Sequence, residues 1–426
     1  MIEGAIPTLV LIGIAAVLAP IISEWTRRYF AVPEVVIQII LGIVLGPFVL
    51  NLAHPNSIVT ALSDFGLTFL MFLAGTELDL AVLREGHMGR ALSSWGASVL
   101  IALGIGALLH GTGLVLDSVV VALCLTTTAL GTLLPILRDA GILRTPLGPS
   151  MLSVGAIGEF GPIVAVAVLL TNRDARVTFV LLVLFVVVAV LAALLATQVR
   201  PPRLVALLRK HMYSTAQLPV RICVLLVILL VYLASKLSLD VLLGAFAAGV
   251  VVRLFIKGED AQPVESKLEA IGFGFLIPIF FIESGINFDL GALIHRPHVL
   301  LLVPMFLALF LVTRGVPTWA FFRGVIDKVE ARSLAVLSAT GLPLIVVITT
   351  LGVDEHRMKP QNAAALVTAG MLSVLIYPVI GLRWLASGVE GRGGGKSRRA
   401  AGGPPHAPPG PAGPSGLAGT TGDDEA

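Results

Sequence analysis

From Val180 to Ala196 every residue is apolar. A run of that length and hydrophobicity reads as a membrane-spanning helix, since a bilayer core takes about 20 apolar residues in helical form. Runs of this kind recur along the chain. The 426 residues are 56% hydrophobic and only 13% charged, with a mean hydropathy of +0.96. A soluble domain carries roughly 25% charged residues and could not bury so much apolar surface. A soluble enzyme is therefore excluded. Barrel strands of about 10 residues with alternating polarity do not fit continuous runs either.

About thirteen spans are expected, near 5–24, 32–50, 58–78, 89–111, 116–138, 147–170, 177–199, 218–235, 239–256, 266–286, 297–322, 332–352 and 362–386. The fold class is thus an all-α polytopic membrane protein. Met1-Ile2-Glu3 has no basic n-region, so the run from Ala5 reads as a first span and not as a removed signal peptide. Alternate connections hold 21 of the 29 Lys and Arg residues, and the other side holds six. Arg221 and Arg314 lie within spans. This asymmetry puts the N-terminus outside and the C-terminus in the cytoplasm. After Ser387 the chain turns rich in Gly, Pro, Ala and Ser, and 387–426 reads as a disordered cytoplasmic tail on a membrane domain of 1–386.

Short motifs recur at a fixed spacing. Gly75-Thr-Glu-Leu-Asp-Leu80 returns as Gly285-Ile-Asn-Phe-Asp-Leu290, 210 residues later, and Leu134-Pro135 as Leu342-Pro343, 208 residues later. Spaced glycines mark the second and ninth spans (Gly42, Gly46; Gly244, Gly249). Repeat one covers about 5–170 and repeat two about 218–386, with 177–199 as a linker helix. The two begin on opposite sides of the membrane, so the repeat is inverted, as in secondary transporters with broken helices. The breaks are expected at Thr126-Thr127-Thr128 with Gly131 and Pro135, and at Gly341 and Pro343.

Charges inside a bilayer are costly, so each is a functional candidate. Glu159 is the only acid in the middle of its span, between Gly155, Gly158 and Gly161. A carboxylate there can hold a dehydrated monovalent cation or a proton, but not easily both, which is the minimal chemistry of an antiporter. Thr126, Thr127, Thr128 and Ser153 are further candidate ion or proton ligands. Arg314 is the candidate compensating charge. The plainer reading makes it a structural partner of Glu159 or a countercharge to a helix C-terminus. Glu283 is a candidate for the cation path or a helix-end residue. Arg221 is expected to snorkel to the interface. The two cysteines lie in apolar runs, and no metal-ligand spacing, nucleophile–base pair or phosphate loop is present. No enzymatic activity, cofactor, resident metal or nucleic-acid partner is expected.

The motifs Pro33-Glu-Val-Val-Ile-Gln-Ile-Ile-Leu-Gly-Ile-Val-Leu-Gly-Pro47, Phe72-Leu-Ala-Gly-Thr-Glu-Leu-Asp-Leu80, Thr126-Thr-Thr-Ala129, Leu143-Arg-Thr-Pro146 and Phe280-Phe-Ile-Glu-Ser-Gly285 occur in this order. Together they resemble the monovalent cation:proton antiporter-2 family of the sodium/proton exchanger superfamily. The resemblance implies a homodimer, a moving core domain built on spans four to six and eleven to thirteen, and elevator-like alternating access. It implies Na⁺ or K⁺ and H⁺ as transported ions, and a bacterial inner membrane as location. The family's paired motif (Asp-Asp, Asn-Asp or Gln-Asp) falls on Gly158-Glu159, and its basic residue on Arg314. Gly158 departs from the pattern. One remaining acid beside an arginine, charged at any relevant pH, predicts one cation for one proton and electroneutral exchange. The alternatives are an ion-coupled carrier of another solute on the same scaffold and a non-transporting sensor.

Overall fold

The computed structural model describes residues 6–27, 32–76 apart from 55, 87–169, scattered positions between 177 and 191, 216–255 apart from 238 and 240, 261–291 and 297–400. Nine described helices are long and apolar enough to cross a membrane, and three shorter apolar helices accompany them. The expected linker span 177–199 lies largely outside the described residues, as do Glu77 to Leu80 of the first repeated motif.

In chain order, the helices of the first repeat are α1 (Ile6–Arg27), α2 (Glu34–Leu45), α3 (Ser57–Thr76), α4 (Met88–Gly111), α5 (Ser118–Leu125), α6 (Leu130–Asp139) and α7 (Leu147–Leu169). The second repeat has α8 (Leu218–Lys236), α9 (Val241–Phe255), α10 (Ala261–Ile271) and α11 (Ile277–Ile286). It continues with α12 (Pro297–Phe310), α13 (Val316–Phe322), α14 (Lys328–Ser338), α15 (Pro343–Asp354) and α16 (Pro360–Ala400). Two π-helical turns, Gly272–Leu276 and Leu311–Gly315, join α10 to α11 and α12 to α13. Each lies just before a proline, Pro278 or Pro317, whose missing N–H removes one i−4 bond and lets the turn widen.

The chain forms two compact units, residues 1–385 and 386–426. Helix α16 continues to Ala400, past the Ser387 limit that composition sets for the last span. Everything below concerns the first unit.

Glycine contacts carry the repeat. A side chain at Gly42 on α2 would strike the Ile282 carbonyl and lie 2.9 Å from the Cα of Gly285 on α11. A side chain at Gly249 on α9 would strike the Phe72 carbonyl and lie 2.8 Å from the Cα of Gly75 on α3. Gly75 and Gly285 hold the same place in the repeated motif, and each faces a glycine of the second or ninth span from the other repeat. The two pairs are therefore the same contact made twice. Such close backbone approach is how helices pack when lipid removes the hydrophobic drive between them.

Both expected breaks are present. The fifth span divides into α5 and α6 at Thr126–Ala129, and the twelfth into α14 and α15 at Ala339–Leu342. Pro343 opens α15, where its missing N–H costs nothing. In the first repeat the break lies upstream of the residues expected to cause it: Gly131 falls in the first turn of α6, and Pro135 within that helix.

Candidate functional site

The two breaks cross each other and α7. The Thr128 amide donates to the Gly158 carbonyl at 2.9 Å, and the Ala129 amide donates to the Thr340 carbonyl at 2.8 Å. The first bond has a cause in the sequence. Pro162 lies four residues after Gly158, and its missing N–H leaves the Gly158 carbonyl without its intrahelical partner. The run Gly158-Glu159-Phe160-Gly161-Pro162 thus presents a free acceptor beside the candidate acid.

Breaking α5 also frees its last carbonyls. Three hydroxyls meet three of them: Thr126 Oγ1 donates to Leu123 O at 2.9 Å, Thr127 Oγ1 to Cys124 O at 3.0 Å, and Thr313 Oγ1 lies 2.8 Å from Leu125 O. The threonine run therefore does local backbone work. The third residue does something else. Thr128 Oγ1 donates to Ser338 O, the last residue of α14, at 2.6 Å. It also accepts from Arg314 Nε at 3.0 Å and from Arg314 Nη2 at 2.8 Å.

Arg314 sits in the π turn and is 1% exposed. Beyond Thr128, its Nη2 reaches Val154 O at 3.2 Å and its Nη1 reaches Ser98 Oγ at 3.5 Å. These oxygens are neutral, and the guanidinium stands where α5 and α14 both end. Helix C-termini carry partial negative charge, so a cation beside two of them is favourably placed. Around it Ser338 Oγ, Thr318 Oγ1 and Ser94 Oγ form a chain with 3.2 Å spacings.

Gly158 proves to be a requirement of space. A Cβ there would sit on the Arg314 guanidinium and 2.5 Å from Thr128 Oγ1. The volume that a motif side chain would fill belongs to the arginine. Glu159 follows on α7 and is 8% exposed. Ser153, on the same helix, donates to Pro149 O at 2.9 Å, within its own backbone ladder.

Glu283 stands apart from these residues. It lies on α11, which packs on α2 and α3, is 7% exposed, and accepts from Thr60 Oγ1 at 3.1 Å. Gly341 lies in the second break, where a Cβ would come 2.7 Å from Thr127 Oγ1. The structure thus brings Thr128, Arg314 and Gly158 into one cluster beside Glu159, places Thr127 against Gly341, and leaves Glu283 on the glycine-packed side.

On the far side of the break, Asp117 caps α5 by accepting from Val119 N at 2.7 Å and Val120 N at 3.3 Å. Arg357, after α15, donates to the same carboxylate through Nε at 2.7 Å, and Asn362 donates to Leu114 O at 2.8 Å. These bonds tie the start of α5 to the end of α15, one helix from each repeat.

Comparison with known proteins gives the family and the fold. The model of the sodium/hydrogen exchanger transmembrane family matches residues 13–386. The chain belongs to that family. It is similar to a putative Na⁺/H⁺ antiporter of Bacillus subtilis, with 28% identity over 396 residues, 89% of this chain and 63% of the relative. The chain thus spans somewhat less than two thirds of that relative's length. It is also similar to a Na⁺/H⁺ antiporter of Enterococcus hirae, with 24% identity over 374 residues, 85% of this chain and 94% of the relative. The fold matches the structure of a sodium proton antiporter from Methanocaldococcus jannaschii with a TM-score of 0.64 and 15% identity, over 89% of this chain and 96% of that one. These relatives are transporters, not enzymes.

Proposed function

We propose that this protein is a secondary antiporter that exchanges Na⁺ or K⁺ for H⁺, with Glu159 as the carboxylate both ions share. One observation carries the reading. A buried acid follows Gly158, whose carbonyl docks the first of two crossed helix breaks. A cation arriving there displaces the carboxylate proton, and a returning proton displaces the cation. The carboxylate needs to be reached from one face at a time, which an elevator-like movement of the core provides. The bonds between α5 and the α15 end support a core that moves as one body, and the apolar glycine contacts of α2, α3, α9 and α11 support a separate dimer-side scaffold.

Arg314 compensates charge at the crossing. With one carboxylate exchanging one cation for one proton, the cycle moves no net charge. The distribution of Lys and Arg supports an external N-terminus and a cytoplasmic tail from about residue 387.

The test uses acid-loaded proteoliposomes containing the full chain. Added Na⁺, K⁺ or Li⁺ should drive alkalinisation of the lumen with wild type and not with Glu159→Gln. The rate should not change when a valinomycin-set K⁺ potential is imposed during Na⁺ exchange. Silence with every cation between about pH 6 and 9 would overturn the antiport reading in favour of a solute carrier or sensor. A rate that follows the potential would overturn electroneutrality alone.

A further inference from the structure

Among the described residues, four buried side-chain atoms have no hydrogen-bond partner: Gln38 Oε1, Asn56 Nδ2, Trp95 Nε1 and Thr340 Oγ1. Gln38 and Asn56 are satisfied at the other end of their amides, by Glu34 and by the Ile58 and Val59 amides. Trp95 is half-buried and lies against Gly161. Thr340 differs from all three. It is 0% exposed, and it is in the second break at the crossing itself.

Its backbone is fully used: the Thr340 amide donates to Leu337 O at 3.1 Å, and its carbonyl accepts from Ala129. Only the hydroxyl is left over. The contrast with its neighbours is sharp. The hydroxyls of Thr126, Thr127, Thr128, Thr313, Ser338 and Ser373 are all bonded, mostly to carbonyls that the breaks release. A buried hydroxyl without a partner costs stability and is rare in native proteins, so a site that keeps one calls for a physical reason.

The occupied volume at Gly158 supplies the reason. A dehydrated monovalent cation needs several oxygens in place of its water, and one carboxylate is not enough. The motif position before Glu159 has no side chain, and Arg314 and Thr128 fill its space. Thr128 Oγ1 is already committed to the arginine and to Ser338. The dipeptide Thr128-Ala129 is clamped between Gly158 and Thr340 by successive amides, so Thr340 flanks the same segment as the Glu159 helix.

We propose that the Thr340 hydroxyl is an oxygen ligand of the transported cation, taking over on the second break the neutral role that Gly158 cannot play on α7. This rests on the antiport reading for its physiological meaning. The binding claim is separately testable.

The experiment compares wild type, Thr340→Val, Thr340→Ser and Glu159→Gln, each as the full chain, in two measurements. In proteoliposomes, Thr340→Val should raise the apparent KM for Na⁺ or K⁺ about tenfold, roughly the value of one lost polar contact, and the change should fall on KM and not on the maximal rate. Thr340→Ser keeps the hydroxyl and should stay within about threefold. In detergent, added NaCl or KCl should raise the melting temperature of wild type above that seen with choline chloride, and Thr340→Val should lose this rise. Without the cation, Thr340→Val should melt no lower than wild type, because it removes an unpartnered group.

An unchanged KM and an unchanged cation-induced shift in Thr340→Val would overturn the proposal. So would a melting temperature lowered in the absence of cation, which would mark a structural bond. If wild type exchanges nothing, the antiport reading fails and the melting shift alone decides whether Thr340 binds the ion.

Discussion

The protein brings helices together in two opposite ways. On one side, α2 meets α11 and α3 meets α9 through facing glycines, backbone against backbone. At the crossing of α5–α6 with α14–α15, the helices stop, and hydroxyls, a guanidinium and stray amides satisfy what the breaks release. The first arrangement costs little and specifies distance. The second requires every freed backbone group to find a partner inside a membrane, where water cannot supply one. A membrane protein accepts that demand where irregular backbone lines a functional site.

The glycines in the two regions look alike in the sequence and should behave differently. The largest effect is expected at Gly158. Gly158→Asn would force a side chain into the space held by Arg314 and Thr128, and exchange in proteoliposomes should fall below detection while the protein still elutes as a folded species. Retained exchange would mean that Arg314 can be moved without loss. Gly249→Val should show the reverse pattern. Its side chain would strike the Phe72 carbonyl, and overpacking of this kind costs about 1–3 kcal/mol. Yield and melting temperature should drop, while the surviving protein keeps the wild-type KM. Loss of cation affinity there would erase the distinction between the two regions.

Thr128→Val sharpens the comparison further. It removes both Arg314 bonds and the Ser338 bond, and leaves the volume nearly unchanged. Transport should fall at least tenfold, a hydrogen bond to a charged group being worth about 1.5–3 kcal/mol. Thr128→Ser should restore most of it, and an active valine variant would show that the arginine is held by other bonds. The smallest effect is expected at the Asp117–Arg357 pair, which is partly exposed. Arg357→Gln should lower stability by no more than about 1 kcal/mol, less so in high salt, with exchange preserved. A large loss of exchange would make this tie part of the transport cycle.

The sequence was legible where one segment carries its own signal. Apolar runs mark the spans, the threonine run marks the first break and Pro343 the second, and Glu159 stands out as an acid without neighbours of its kind. What stayed hidden depends on residues far apart in the chain. Gly158 reads as a lost side chain until Arg314, over 150 residues away, is seen in its place. The threonine run reads as an ion site, yet two of its hydroxyls cap the α5 end and the third anchors the arginine. Pro162 gave a signal that could have been used, since a proline four residues after Gly158 announces a free carbonyl. Thr340 gave none, because only the folded structure shows which hydroxyl has no bond.

The central claim is that one carboxylate serves both ions. The most direct measurement is proton release on cation binding, followed with a pH dye in weakly buffered detergent solution as NaCl or KCl is added to the purified protein. Close to one proton should be released per cation bound at an acidic starting pH, where the shared carboxyl begins protonated, with the ratio falling as the starting pH is raised, and none should be released from Glu159→Gln. Cation binding without proton release at the acidic starting pH, or unchanged release from Glu159→Gln, would contradict it.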